Sequence, residues 1–154
     1  MSHSIQERDA FTLIGRSVQL TNSKKENVRI CSQFWRSFNS DLKKSCLSMC
    51  ENWVKYALME RKNGKLFYFC AIPTPMAIPE QFVSKEIPFC KYCVVEHIGP
   101  MNRIYDTYTE IYKQILPDNG YVPFHDEVLH FEKYDDRFHW NRRDSIITIW
   151  VPIK

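Results

Sequence analysis

The strongest constraint on the fold is an order of elements that occurs twice, once on each side of a proline-rich stretch. Residues 73–79 contain three prolines, so they cannot form regular structure and are predicted to link two halves. On each side, hydrophobic periodicity predicts a strand, a helix and then two more strands, and in the second half a further strand-like segment precedes this order. Each predicted helix has one apolar face, which must be buried on a sheet.

This repeated order predicts an α+β fold. Two βαββ repeats, at about 10–72 and 81–153 with a linker at 73–80, are expected to form one curved antiparallel sheet. Two long helices are expected on one face of the sheet. A ligand cleft is expected on the other face, which would be concave between the halves. With 154 residues, the chain is expected to form a single domain, 1–154.

The elements predicted in the first repeat are a strand, a helix and two hairpin strands, at residues 11–20, about 26–43, 53–60 and 65–72. Gly15 is expected to mark a bulge or a close approach of two backbones. Asn63-Gly64 favours a tight hairpin turn because both positions can take positive φ. Residues 45–52 either extend the helix or form a second short turn.

The elements predicted in the second repeat are two strands, a helix and two further strands, at residues 81–87, 91–98, about 100–116, 128–138 and 145–151. Pro100 suits the first turn of the helix, and residues 117–120 contain the proline and glycine that would close it. Pro152 is expected to end the last strand, because proline cannot donate to a ladder.

Charge and hydropathy argue against two classes of partner. The net charge is +3 and no basic stretch is interleaved with aromatic residues, so direct nucleic-acid binding is not expected. Residues 1–9 lack the apolar core of a signal peptide, and no apolar run reaches the roughly 20 residues that span a bilayer. We therefore expect a cytoplasmic protein without a membrane partner, whose six cysteines are reduced thiols.

Glu132 is the candidate site residue with the clearest chemistry. Strand alternation places four side chains on one face, namely Val128, His130, Glu132 and Tyr134. A carboxylate set among rings costs several kcal/mol unless it takes up a proton or meets a cation. A lipophilic cation would supply that charge and would also gain from the ring faces. The alternative is that Glu132 is exposed, or is paired with Lys133, Arg137 or Lys91.

Six rings are candidates for the same site, because aromatic side chains commonly line ligand pockets. They are Tyr134, Tyr56, Tyr68, Trp150, Tyr108 and Trp35. The alternative is that these rings belong to the core, where aromatic residues at strand or helix spacing are found more often.

No metal site or cofactor is predicted. Cys90 and Cys93 have the spacing of a redox or metal motif, but they lie in a predicted strand, where residues three apart point to opposite faces. The five histidines show no ligand-like pairing. Only four glycines are present and none forms a nucleotide-binding loop.

Several phrases of the sequence resemble the GyrI-like effector-binding domain. This domain is the small-molecule module of many bacterial multidrug-responsive transcription regulators, and it also occurs as a stand-alone protein. The phrases that carry the resemblance are at 92–100, 104–120, 131–134 (Phe-Glu-Lys-Tyr) and 149–153 (Ile-Trp-Val-Pro-Ile). The resemblance covers roughly residues 10–154, and the chain is similar to the stand-alone form.

The resemblance implies the two-repeat fold and a cleft for lipophilic, often cationic, compounds. It also implies a buried glutamate on the penultimate strand, the position at which Glu132 lies. The first functional hypothesis is therefore a binding protein that sequesters such a compound or reports it to a partner protein. A homodimer that covers a sheet edge is a further expected partnership.

Two alternatives to simple binding stay open. Some stand-alone relatives in the resembled family are hydrolases, and Glu132 would then direct a water as general base. No second acid or nucleophile lies at a telling spacing, so no catalytic residue is assigned. The family name also suggests inhibitory binding to a macromolecule such as DNA gyrase, which no feature of the sequence specifies.

Overall fold

The computed structural model describes residues 2–47, 53–75 and 77–154. In these residues eight strands form one antiparallel sheet that curls into a half-barrel, and two helices pack on one face. The predicted α+β fold with one curved sheet and two helices is confirmed. The strands are β1 (His3–Arg8), β2 (Phe11–Gln19), β3 (Lys55–Lys62), β4 (Lys65–Pro73), β5 (Val83–Ile87), β6 (Cys90–Ile98), β7 (Val128–Tyr134) and β8 (Ile146–Ile153).

The strand order is symmetric about the contact between β7 and β3 and runs β1-β6-β8-β7-β3-β4-β2-β5. Each half contributes its first strand to the other half, since β1 pairs with β6 and β5 pairs with β2. The sequence does not predict β1, because Ile5 is its single apolar side chain. Its position at the edge of the sheet explains that composition, since edge strands commonly carry polar residues.

Helix α1 (Lys24–Lys44) begins at a polar cap, where the Ser23 hydroxyl accepts a 3.2 Å hydrogen bond from the Glu26 N–H. It ends before Cys46, whose φ is 58°. The helix does not extend past Lys44, so the first of the two possibilities for residues 45–52, a longer helix, is wrong. Residues 48–52 lie outside the described part of the chain.

The second helix, α2, is one continuous helical segment with three kinds of turn. In chain order these are a 3₁₀ turn (Met101–Arg103), an α-helix (Ile104–Glu110), a π-helical turn (Ile111–Ile115) and a last α turn (Leu116–Asp118). The wide π turn immediately precedes Pro117. Proline has no N–H to donate, and its ring clashes with the carbonyl four residues earlier, so an ideal α-helix is disfavoured there. Neither described helix combines the length and apolar content that a bilayer-spanning segment needs.

Two backbone predictions in the first repeat are confirmed. Asn63 and Gly64 both have positive φ, 52° and 76°, as the tight turn between β3 and β4 requires. Gly15 lies where β2 approaches β4, and a Cβ added there would overlap the carbonyl oxygen of Cys70. Gly15 is thus a close-approach position, where the absence of a side chain lets the two strands pair.

The last strand corrects another prediction. β8 continues through Pro152 to Ile153, so Pro152 does not end it. Pro152 is opposite Tyr92 of β6, and its carbonyl accepts a 2.8 Å hydrogen bond from the N–H of Phe124. In an antiparallel strand the nitrogen and the carbonyl of one residue point to the same side. The nitrogen of Pro152 therefore points towards Phe124 and away from β6, so the pairing of β8 with β6 loses no hydrogen bond.

The sheet face opposite the helices is filled by the protein's own rings. Phe131 and Trp150 stack there with centroids 5.5 Å apart and planes 10° apart, and Tyr92 packs edge-on against both. Because the sheet curls, Arg8 of β1 reaches across to lie 3.7 Å from the ring centre of Phe11 on β2. This face is therefore closed, and the prediction of a ligand cleft on it is wrong.

Candidate functional site

The candidate site is a cavity of about 750 Å³ on the helix-covered face of the sheet. Its walls come from α1 and α2 on either side, from β3, β4 and β7 beneath them, and from the segment between β7 and β8. This volume lies within the roughly 300–1,000 Å³ of small-molecule sites. Each repeat places one helix on the sheet, and the cavity lies between the two helices rather than on the expected opposite face.

Glu132 lies in the wall of this cavity with 9% of its surface exposed. The hydroxyl of Tyr108, on α2, donates a 2.5 Å hydrogen bond to Oε2. The hydroxyl of Tyr134 donates to Oε1. Both carboxylate oxygens are thus hydrogen-bonded by neutral donors, which stabilises the charge without cancelling it.

The expected alternative partners of Glu132 lie elsewhere. Lys133 is its neighbour on β7, so its side chain points to the opposite face. Arg137 forms ion pairs with Asp135 and Glu96. Among the described residues, no lysine, arginine or histidine forms an ion pair with Glu132. The hypothesis of an exposed or internally paired glutamate is therefore wrong.

Burial raises the pKa of Glu132 above its usual 4.5, and the hydrogen bonds from Tyr108 and Tyr134 oppose that rise. His130 lies two residues before Glu132 on β7 and borders the same cavity. Its pKa is lowered to about 4, chiefly by burial. Its ring lies 4.6 Å from that of Tyr108. At neutral pH the imidazole is therefore uncharged, and it does not neutralise the carboxylate.

A bulge in β7 sets which side chains face the cavity. The pairing with β3 changes register between Met59, which is opposite His130, and Glu60, which is opposite Val128. Leu129 is the extra residue, so the simple alternation breaks there. Val128 consequently packs with Phe131 on the closed face and not beside Glu132 as predicted. His130, Glu132 and Tyr134 keep the predicted common face.

Aromatic side chains form much of the cavity wall. Trp35 on α1 donates a 2.8 Å hydrogen bond from Nε1 to the hydroxyl of Tyr68 on β4. The ring of Trp35 also lies 5.5 Å from that of Tyr134, edge to face. These contacts fix three rings around the space that Glu132 borders, which is the arrangement that favours flat or cationic organic molecules.

The predicted site residues divide by sheet face. Five of them border the cavity, namely Glu132, Tyr134, Tyr68, Tyr108 and Trp35. Tyr56 and Trp150 lie on the closed face. Tyr68 is opposite Met59 in the hairpin, so Tyr56, three positions from Met59, must point the other way. Trp150 is opposite Phe131 and shares its face.

A family model described as an integron-associated effector binding protein, Cass2, matches residues 4–153. The chain belongs to this family. The resemblance to the GyrI-like effector-binding domain is thereby confirmed. Among characterised proteins, the transcriptional regulator BrlR of Pseudomonas aeruginosa is 25% identical over 157 residues. That match covers 99% of this chain and 56% of the regulator, so the chain spans about half the length of this relative.

Solved structures share the fold of this family member. SAV2435 bound to tetraphenylphosphonium has a TM-score of 0.77 and 18% identity, covering 100% of this chain and 94% of that one. The integron cassette protein VCH_CASS2 of Vibrio cholerae has a TM-score of 0.66 and 15% identity, covering 99% and 95%. At these identities the likeness establishes the fold alone.

Several cavity residues were not predicted from the sequence. On α1 the missed residues are Val28, Cys31, Ser32, Arg36 and Asn39, and on the strands they include Met59 and Lys55. Helical spacing finds three of the α1 residues, because Cys31, Ser32 and Asn39 are three or four residues from Trp35 and share its face. Val28 is two turns away on the same face, and Arg36 is adjacent to Trp35 in the chain. Lys55 is four residues from Met59 on β3, so both side chains point to the same face. Met59 is opposite Tyr68 and shares its face, which places Lys55 on the cavity side as well.

The cysteines of this family member provide no metal centre in the described residues. Cys90 packs with the closed-face rings and Cys93 with the helix-side core, so their side chains lie on opposite faces as predicted. Burial raises the pKa of Cys31, at the cavity wall, to about 12, so that thiol stays protonated. No group of three metal-ligating side chains occurs in the part of the chain that is described. Cys50 lies outside it.

Proposed function

We propose that this chain binds small lipophilic cations in the cavity between α1 and α2, with Glu132 as the counter-charge. The observation that carries the proposal is a buried carboxylate held by two tyrosine hydroxyls, with no cationic partner among the described residues. A cation is the missing component of that arrangement.

Burial of Glu132 is what makes a bound cation favourable. An ionised carboxylate in a buried site loses hydration, and neutral hydrogen bonds recover part of that loss. A bound cation recovers more, because attraction between charges is stronger away from bulk water. Ring faces such as those of Trp35 and Tyr68 add roughly 0.5–2 kcal/mol per good contact.

The relatives support the same class of ligand. SAV2435, which shares the fold, is bound to the cation tetraphenylphosphonium. BrlR is a transcriptional regulator, so a domain similar to this chain occurs within a regulator. We propose that binding here either sequesters the compound or reports it to a partner protein or a second copy of the chain.

The direct test is calorimetric titration of Glu132→Gln with tetraphenylphosphonium and with neutral triphenylphosphine oxide. Loss of the charge interaction, worth about 2 kcal/mol, is expected to weaken the cation about 30-fold and the neutral compound less than about threefold. Glu127→Gln is the matched control, because Glu127 is exposed and does not border the cavity. Equal losses for both compounds would refute the electrostatic role of Glu132.

The hydrolase alternative is separated from binding by product analysis. In that mechanism Glu132 would take a proton from a water, yet each of its oxygens already accepts a tyrosine hydrogen bond. Incubation of the protein with the tightest-binding compound, followed by mass spectrometry, distinguishes the two. We expect the compound to be recovered intact; a hydrolysed product that disappears in Glu132→Gln would establish the enzyme.

A further inference from the structure

We propose that the preferred ligand is zwitterionic: a ring system with a cationic group at Glu132 and an anionic group held by Lys55, Arg36 and Asn39. This inference rests on the proposed function, because it assigns the cationic end of the ligand to Glu132. It adds a second polar end to the same cavity, and it therefore names a narrower class of ligand than lipophilic cations.

The second end is a cluster of hydrogen-bond donors that border the cavity. Arg36 and Asn39 are three residues apart on α1, so they lie on neighbouring turns of one helix face. Lys55 of β3 donates a 2.7 Å hydrogen bond from Nζ to Oδ1 of Asn39. Since that bond occupies the amide oxygen, Asn39 offers its NH₂ group. The three side chains together present donors, as a carboxylate or phosphate requires.

The positive charge of this cluster is not balanced nearby. Neither Lys55 nor Arg36 takes part in an ion pair among the described residues. Lys55 is half-buried, and its desolvation lowers the pKa of the ammonium group. The ring of Trp53, 5.4 Å from Nζ, provides a weak attraction and no anion. An anionic group of a ligand is the partner that would compensate this desolvated charge.

No ion pair joins Glu132 and Lys55, so the two charges do not compensate each other directly. In the β3–β7 ladder Glu132 is opposite Ala57. Lys55 is opposite Tyr134, two pairs further along and therefore on the same face. Such diagonal neighbours have Cα atoms roughly 7–8 Å apart. Their side chains then diverge, because Lys55 reaches Asn39 on α1 while Glu132 is bonded to Tyr108 on α2. One cavity thus has a negative end and a positive end, with aromatic walls.

Rhodamine 110 and rhodamine 123 test this arrangement, because they share one cationic ring system and differ in a free carboxylate against a methyl ester. Fluorescence anisotropy gives the dissociation constant of each. We expect the wild-type protein to bind the free acid about 5–10-fold more tightly than the ester, as one or two charge-assisted hydrogen bonds provide. In Lys55→Met the preference is expected to fall to about one, and in Arg36→Gln by about twofold.

Lys113→Met is the matched control, since Lys113 is exposed on α2 and does not border the cavity; it is expected to keep the wild-type preference. A wild-type protein that binds the ester as tightly as the acid overturns the zwitterion proposal. If Glu132→Gln still weakens both dyes in that case, the proposed cation site survives. If Glu132→Gln weakens neither dye, the proposed function itself fails. Should Lys55→Met not fold, the wild-type preference and its change in Arg36→Gln decide the matter.

Discussion

Tyr108 on α2 and Glu132 on β7 are joined by a 2.5 Å hydrogen bond between the tyrosine hydroxyl and Oε2. The two residues are 24 positions apart, so this bond fastens the second helix to the sheet at the cavity wall. It also favours the ionised form of a glutamate whose pKa burial would otherwise raise further. A contact that fixes the fold locally therefore also sets how much charge the cavity can offer a ligand.

Removing this donor is expected to weaken cation binding. In Tyr108→Phe the ring stays in the wall, but Glu132 loses one of its two tyrosine donors, so its pKa rises and its charged form is less favoured. A hydrogen bond to a charged group contributes about 1–2 kcal/mol, so we expect tetraphenylphosphonium affinity to fall roughly 5–30-fold in calorimetry at pH values below the raised pKa of Glu132, where binding must displace the proton.

Tyr112→Phe is the control for this substitution, because Tyr112 is also on α2 but its hydroxyl is bonded to Nδ1 of His130 rather than to Glu132. We expect its cation affinity to stay within about twofold of wild type. Equal effects of the two substitutions would show that the Tyr108 hydroxyl has no specific influence on the carboxylate.

Cation affinity is expected to increase with pH. The pKa of Glu132 is raised above 4.5, so near that value the free protein is protonated at this position and must release the proton to bind a cation. Affinity then increases by up to about tenfold per pH unit until the pH exceeds the raised pKa, above which it is constant. Tetraphenylphosphonium suits the measurement, because its own charge does not titrate.

Two controls are expected to show no change of affinity with pH. They are triphenylphosphine oxide binding to the wild-type protein and tetraphenylphosphonium binding to Glu132→Gln. A pH dependence that persists in Glu132→Gln would assign it to another group. Proton release on binding, measured by calorimetry in buffers of different ionisation enthalpy, is expected to approach one proton at pH values below the raised pKa.

Glu132→Gln is expected to separate stability from binding. A carboxylate with a raised pKa in the folded state favours folding below its unfolded pKa of 4.5, and this contribution is lost as pH rises through the folded value. The glutamine has no such loss, and its amide can still be bonded by Tyr108 and Tyr134. We therefore expect the stability of Glu132→Gln, compared with that of wild type, to improve from pH 4.5 to pH 8. At pH 8 its free energy of unfolding in urea is expected to match or exceed the wild-type value.

The control for this comparison is Glu127→Gln, whose exposed carboxylate is expected to give the same relative stability as wild type at both pH values. A Glu132→Gln protein that loses several kcal/mol at pH 8 would instead show that the ionised carboxylate stabilises the fold. In that case the stability of the fold would account for the charge on Glu132 without a ligand, and the main physical argument for the cation site would be lost.

Much of the fold follows from the sequence because period and turn chemistry are local. The helical spacing on α1 and α2, the Asn63-Gly64 turn and the close approach at Gly15 are properties of short segments. The edge strand β1 is missed because its pairing with β6, more than 80 residues away in the chain, compensates for a polar composition. Local pattern carries little information about such a partner.

The candidate site was predicted less completely, because it depends on which face of the sheet is open. Alternation correctly groups Glu132 with Tyr134, but it does not say that the helices cover that face. The sequence also points to Tyr56 and Trp150, because nothing local distinguishes a ring on one face from a ring on the other. The bulge at Leu129, which moves Val128 to the closed face, depends on pairing with Met59 and Glu60 and is likewise not a local property.

Gly15→Ala is expected to be strongly destabilising, although alanine is a small change. The added Cβ would overlap the Cys70 carbonyl, part of the β4 backbone, which cannot move without breaking the β2–β4 ladder. Overpacking of this kind costs about 1–3 kcal/mol, and a clash with backbone is expected to lie at or above the upper end. Ser17→Ala, at an exposed position of the same strand, is the control and is expected to change stability by less than about 0.5 kcal/mol. Urea unfolding followed by tryptophan fluorescence measures both, and similar stabilities for the two variants would mean that β2 and β4 are less closely spaced at Gly15 than described.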